Sequence, residues 1–509
     1  MATTAQEQTT KTTLPPGPRP LPYIGNLLSL RQDPLGFLQR LQRIYGNMAT
    51  IYIGKNPAVV LFRPEHVRYV LVEHPRNFSN RGLLQGDSDG GFANEGLLTI
   101  DGEKHRQQRH AVQPAFHKKR VEDYAAIMQQ YTEELLKTWH PGDTVDMSRA
   151  MQELTLRIVS KCLFSIDLSS QLSPLSAAFD GVIGSSTSMA EDLLNIRIDN
   201  PITGYGRRMA AQRQLDMLIY TLIAQRRDDD RDYHDVLSML MPAQSGEESE
   251  TKLTEKQIHD HILTFLAAGH ETTAIALVWT FYLLSQYPQV RIKLQDEVRS
   301  LLAGREPTPD DLANLPYMDW VLSESMRLYP PAWLQMRFVA KETELDDVRL
   351  PAGTLVILSQ WVTHRLPTIW RDAEVFKPER WDPANEQQIP PGAYFPFGGG
   401  PRTCIGMPLA QLEARLILAN ILQRYTPQPV PGYTPGFQPV ITLRPKQHLR
   451  VTLMPASSSD SDAQWRQLAR LNDGPSINRA PSINRGATTL EGAGRQGCRT
   501  ALLSLLGLS

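Results

Sequence analysis

Phe397-Gly-Gly-Gly-Pro-Arg402-Thr-Cys404-Ile-Gly406 runs directly into Met407-Pro408-Leu-Ala-Gln-Leu-Glu-Ala-Arg-Leu-Ile-Leu-Ala-Asn-Ile-Leu-Gln. The first part reads as a loop. The second reads as a long helix with Pro408 in its first turn, where a missing N–H is tolerated. Glycines 398–400 let the backbone pass close to something flat and bulky without a side-chain clash. Arg402 places a cation two residues before Cys404, and Gly406 leaves a second gap two residues after it. A lone cysteine is usually an inert small hydrophobe. Cys404 differs because it lies just before a helix N-terminus, whose partial positive charge favours a thiolate.

A thiolate on a loop that approaches a planar macrocycle suits axial ligation of haem iron. The pattern Phe-x-x-Gly-x-Arg-x-Cys-x-Gly resembles the haem-binding signature of the cytochrome P450 family, with Phe397, Gly400, Arg402, Cys404 and Gly406 at the fixed positions. The resemblance implies that Cys404 ligates the iron of haem b, that Phe397 packs near the sulfur and that Arg402 pairs with a propionate. It also implies a mainly α fold with a small β region, in which the haem lies between a long central helix and the cysteine loop and helix.

Gln257–Leu284 reads as that central helix. Inside it stands Ala267-Ala268-Gly269-His270-Glu271-Thr272-Thr273. A glycine, an acid and two β-branched hydroxyls are poor choices for a buried helix interior, and such local violations often mark function. A threonine hydroxyl can bond back into the preceding turn and leave a groove for oxygen and water. By resemblance, Thr272 and Glu271 form the oxygen-activating pair, with Thr272 holding oxygen and its water and Glu271 relaying protons. Ala268 and Gly269 are expected to face the haem.

Other positions are read in register with Cys404. His105 and Arg109 lie four apart on one helical face and, with Arg337, resemble further propionate partners. Glu324 and Arg327 match the family's Glu-x-x-Arg, and Arg380 is expected to join them in a buried charge network that is structural in role. Periodicity is lost from Asn77 to Ile100, a length that marks a functional or disordered loop. Phe78, Leu83, Leu84, Phe92 and Leu97 are candidates for pocket lining, together with Ala268, Ala332, Trp333 and Leu334. The pocket is expected to take a hydrophobic molecule of fatty-acid, terpenoid or steroid type.

The chain has 509 residues and a formal net charge of −1, which gives no global bias toward nucleic acid. Its three cysteines, Cys162, Cys404 and Cys498, are too widely spaced for a disulfide framework or a zinc site. No stretch reads as a membrane span, and the polar N-terminus lacks a secretory layout. The expectation is a soluble, cytoplasmic enzyme of bacterial type. Residues 1–13 read as a disordered lead, 14–455 as the haem domain and 456–509 as a low-complexity tail. No flavin or iron–sulfur domain is recognisable, so electrons from NAD(P)H are expected to arrive through a separate ferredoxin or flavodoxin and its reductase. The cations from Lys104 to Arg120 are the expected docking face. The favoured activity is insertion of one atom of O2 into the substrate. The alternatives are a peroxide-using peroxygenase or isomerase and a non-catalytic haem sensor or carrier. The pair Glu271–Thr272 favours the first, because a peroxide user need not keep it.

Overall fold

The computed structural model describes residues 14–456 except 81–92, 94, 169–171, 184–197, 230, 232, 242–252 and 386–388. Leu83, Leu84 and Phe92 therefore lie outside the described residues, as do 1–13 and 457–509.

The first long helix, α1 (Pro34–Tyr45), begins where the carboxylate of Asp33 accepts from Gly36 N at 3.0 Å and ends at Gly46 with φ 79°. Its buried face is Leu35, Phe37, Leu38 and Leu41, the spacing of an amphipathic helix. Strands β1 (Met48–Ile53) and β2 (Asn56–Leu61) follow as an antiparallel hairpin with Met48 opposite Leu61. A two-residue strand β3 (Phe78–Ser79) precedes α2 (Gly102–Val112), α3 (Met147–Phe164), α4 (Leu172–Ile183) and α5 (Gly204–Arg227). The central helix is α6 (Glu255–Gln286), then come α7 (Pro316–Leu328), β4 (Gln335–Val339), β5 (Leu355–Leu358) and α8 (Met407–Arg424). A short hairpin, β6 (Phe437–Pro439) with β7 (Leu443–Pro445), closes the part that matters for the site. The main sheet has the order β1-β2-β5-β4-β3, and β2–β5 is its parallel pair.

A reciprocal cap starts α6: Thr254 Oγ1 accepts from Gln257 N, and Gln257 Oε1 accepts from Thr254 N, which satisfies two orphan donors. Among the described residues α6 is the one helix long and apolar enough to cross a membrane, and 83% of its apolar stretch is buried inside the protein. It is apolar all round because neighbours cover it on all sides. Its closest approach is to α3. A Cβ on Gly269 would stand 2.7 Å from Val159 Cγ2, and Thr155 Oγ1 donates to His270 O at 2.8 Å. Gly269 therefore sets the spacing of two core helices.

A second, smaller core lies under the sheet and contains Val59, Leu61, Val339, Val356 and Leu358. Phe78 belongs to this core, not to the pocket. It pairs with Val339 across β3–β4 and meets Tyr69 edge-on at 6.3 Å. It is the first residue of β3, and its side chain packs into the sheet's own core.

Candidate active site

A cavity of about 1680 Å³ lies between α6 and the loop 396–406. That exceeds the space needed for one small ligand and is large enough for a macrocycle and a substrate together. Phe397, Arg402, Cys404 and Gly406 line it from the loop, and Ala268, Gly269, Glu271 and Thr272 line it from α6. Gly400 does not line it. Its φ is +63°, and a Cβ there would stand 1.8 Å from Leu71 O, so this glycine is needed for the chain to pass the 69–73 turn.

The loop is shaped by its own backbone: Cys404 N donates to Phe397 O at 2.9 Å and Gly398 N to Phe395 O at 3.0 Å. Cys404 lines the cavity, and protein packs densely around it. Burial pushes its thiol pKa up, against the lowering effect of the Gly406 and Met407 N–H groups and of Arg109. The helix terminus alone therefore does not secure the thiolate expected from sequence. A metal cation at the sulfur would.

Four basic groups converge on the same cavity: His105, Arg109, Arg337 and Arg402. Burial, then the charges of Arg402 and Arg109, lower the His105 pKa to about 4. Burial, then Arg402, lowers that of Arg337 to about 10. Arg402 pairs with Asp101 and donates to Ile100 O at 2.5 Å and to Leu97 O at 3.3 Å. Neither Arg109 nor Arg337 has a carboxylate partner among the described residues. Three guanidiniums facing one acid make a site for a dianion. A haem, with two propionates and an iron to meet Cys404, fits these residues. When bound, it would supply the activation of dioxygen.

On α6, Thr272 Oγ1 donates to Ala268 O at 2.7 Å. Glu271 is 2% exposed and accepts from Arg444 Nε at 2.6 Å and from Thr442 Oγ1. Behind the loop, Glu324 and Arg327 are fully buried and paired at 2.8 Å, with Arg380 Nε 2.8 Å from the same carboxylate. Lys377 N and Trp381 Nε1 complete its shell at 3.0 Å each. Burial alone would raise the Glu324 pKa, but the two arginines and these donors hold it below the usual range.

Leu97, Ala332, Trp333 and Leu334 line the cavity. Trp333 also donates from Nε1 to Val440 O at 2.9 Å, which ties the hairpin tip to the wall. Four of the cations on the expected docking face have a local acid: Lys104–Glu95, Arg106–Glu103, Lys118–Glu122 and Arg120–Asp123. The face is therefore less basic than its sequence.

The sequence model of the cytochrome P450 family matches residues 15–449. The chain belongs to the cytochrome P450 family. Cyclooctat-9-en-7-ol 5-monooxygenase of Streptomyces melanosporofaciens is 36% identical over 422 residues, covering 82% of this chain and 90% of that protein. Pentalenene oxygenase of Streptomyces avermitilis is 33% identical over 410 residues, covering 80% of this chain and 90% of that protein. Among solved structures, a retinoic acid bound cyanobacterial CYP120A1 matches with a TM-score of 0.76 and 26% identity, covering 87% of this chain and 99% of that one.

This P450 is thus a haem-thiolate monooxygenase that uses haem b and O2, takes a hydrophobic substrate and draws NAD(P)H-derived electrons through a redox partner. Four residues at the site escape the sequence reading: Asp101, Glu413, Thr442 and Arg444. Glu413 carried a signal, as a carboxylate inside the apolar run of α8. It is buried, bonded to Thr273, and its Oε1 has no partner. Burial holds its pKa well above the usual carboxylate range. Arg444 and Thr442 lie on a hairpin 173 and 171 residues from Glu271, and no local pattern announces such a pairing.

Proposed function

We propose that this P450 oxidises a compact terpenoid, and that residues 14–455 form the catalytic domain. The carrying observation is the lining of the cavity, to which Leu97, Ala268, Ala332, Leu334, Val440 and Ile441 contribute mostly hydrocarbon. Burial of apolar surface is worth about 25 cal/mol per Å², so a rigid polycyclic skeleton binds such a wall without the ordering entropy a long acyl chain loses. The names of the two Streptomyces relatives favour the same class.

In this reading Cys404 is the iron ligand, and His105, Arg109, Arg337 and Arg402 hold the propionates. His105 acts as a neutral N–H donor and the arginines as charges. Glu324, Arg327 and Arg380 brace the loop. Thr272 holds a water chain above the cavity floor, and Glu271 passes protons into it. A ferredoxin or flavodoxin, with its reductase, supplies the electrons at the face around Arg106. The enzyme works in the cytoplasm, with α6 buried as a core helix rather than placed in a lipid bilayer.

The test is a ligand screen by haem optical shift, with cyclic terpene hydrocarbons and alcohols, fatty acids and steroids on the same protein. Cyclic terpenes should give the tightest displacement of the haem water. A screen in which fatty acids bind more tightly would move the substrate class to straight chains.

A further inference from the structure

Glu271 is beside Thr272 in sequence, yet its carboxylate is engaged elsewhere. Its Oε1 meets Arg444 Nε at 2.6 Å, and Arg444 Nη1 reaches Asp180 Oδ1 at 2.8 Å. One guanidinium on β7 thus joins the acid on α6 to an acid on α4. Glu271 is 2% exposed, Arg444 14% and Asp180 45%. Burial alone would lower the Arg444 pKa, but the two carboxylates reverse this and raise it.

Among the described residues, no other cation meets Glu271. His270 is buried against Phe179 and bonded through Nδ1 to Leu266 O at 2.6 Å, and burial lowers its pKa, so it is neutral. His448 is paired with Asp146 at 2.9 Å. The strand that carries Arg444 is pinned on both sides, by Leu443 N to Pro331 O at 2.9 Å and by Trp279 Nε1 to Leu443 O at 2.8 Å. A fixed backbone delivers one charge to two acids, and two acids sharing one cation each hold it less tightly.

We propose that Arg444 is a positioning residue for the acid Glu271: it keeps the buried carboxylate ionised and oriented, and it links that carboxylate to α4 through Asp180. This rests on the reading of Glu271 as the acid that passes protons to the Thr272 groove. Without Arg444, a buried carboxylate lacks its cation and takes up a proton.

The test is infrared spectroscopy of the haem-loaded protein at neutral pH, together with turnover and its solvent isotope effect. Arg444→Gln should gain a protonated-carboxyl band over the parent. The Arg444→Gln/Glu271→Gln double variant should lose the gain. Turnover of Arg444→Gln should fall about tenfold with a larger isotope effect, less than the roughly 10²–10⁴-fold of a lost general acid–base group because Glu271 itself remains. Arg444→Lys should show no gained band and recover most of the turnover, and it remains readable if the Gln variant does not fold. Asp180→Asn should show no gained band, which separates charge on Glu271 from a tie that merely seats α4. The proposal is overturned if Arg444→Gln gains no Glu271 band, if Arg444→Lys loses as much turnover as Arg444→Gln, or if Asp180→Asn reproduces Arg444→Gln. Parental turnover and isotope effect in Glu271→Gln would instead remove the relay reading beneath it.

Discussion

The hydroxyl of Thr272 donates to the carbonyl of Ala268, one turn back, at 2.7 Å. Its proton is committed there, so its lone pairs are what the cavity meets. Thr272 is thereby set up to accept a hydrogen bond from water, as a proton chain requires. Thr272→Ala should keep the haem spectrum and still consume reductant and oxygen, but product per electron-donor molecule should fall severalfold while hydrogen peroxide rises. Thr272→Ser should retain most of the coupling. Full coupling in Thr272→Ala would take this hydroxyl out of the reaction.

Glu324 is the hub of a fully buried network with five donors, from Arg327, Arg380, Lys377 and Trp381. Removing its charge strands two buried guanidiniums. Glu324→Gln should cost about 3–5 kcal/mol, read as a lower denaturant midpoint and a smaller fraction of protein holding haem. A loss below about 1 kcal/mol would show that the arginines find other acceptors.

Much of this was legible in the sequence, for definite physical reasons. The Cys404 loop was readable because glycine, proline and cysteine chemistry is local. The central helix was readable because an apolar run broken by Gly269, Glu271 and Thr272 is a costly choice. Glu324 and Arg327 were readable through their spacing. Phe78 was misplaced, because which face a strand residue turns to is a tertiary fact. Gly269 serves a purpose the sequence did not show, the approach of α3 at Val159. The partners of Glu271 were hidden because ion pairs across 173 residues leave no pattern.

His261 is buried, bonded through Nε2 to Gln108 Oε1 at 2.8 Å, and burial lowers its pKa to about 4. An unfolded histidine titrates near 6.5. Between these values the unfolded chain binds the extra proton, so stability is present above about pH 6.5 and is lost as pH falls toward 4. His261 alone should contribute about 1.4 kcal/mol per pH unit across that window. The stability–pH slope of His261→Gln should be shallower by one proton between pH 4 and 6.5, on the order set by linkage. An unchanged slope would mean that His261 takes no part.

Arg106 is exposed and paired with Glu103 at 2.8 Å. If an acidic redox protein docks here, reduction should slow as ionic strength rises, because salt screens exposed charges within a Debye length of roughly 8–10 Å. Arg106→Glu should slow it further at low salt and make little difference at high salt. A rate indifferent to both changes would place the partner on another face.

The most direct measurement is the absorbance band of the reduced, carbon monoxide-bound protein that reports thiolate ligation, recorded for alanine variants of each cysteine. Cys404→Ala should lose the band, while Cys162→Ala and Cys498→Ala should keep it, because Cys162 is buried with its pKa pushed well up and, among the described residues, Cys404 is the cysteine that lines the cavity. A band that survives in Cys404→Ala, or vanishes in either of the others, would contradict Cys404 as the iron ligand.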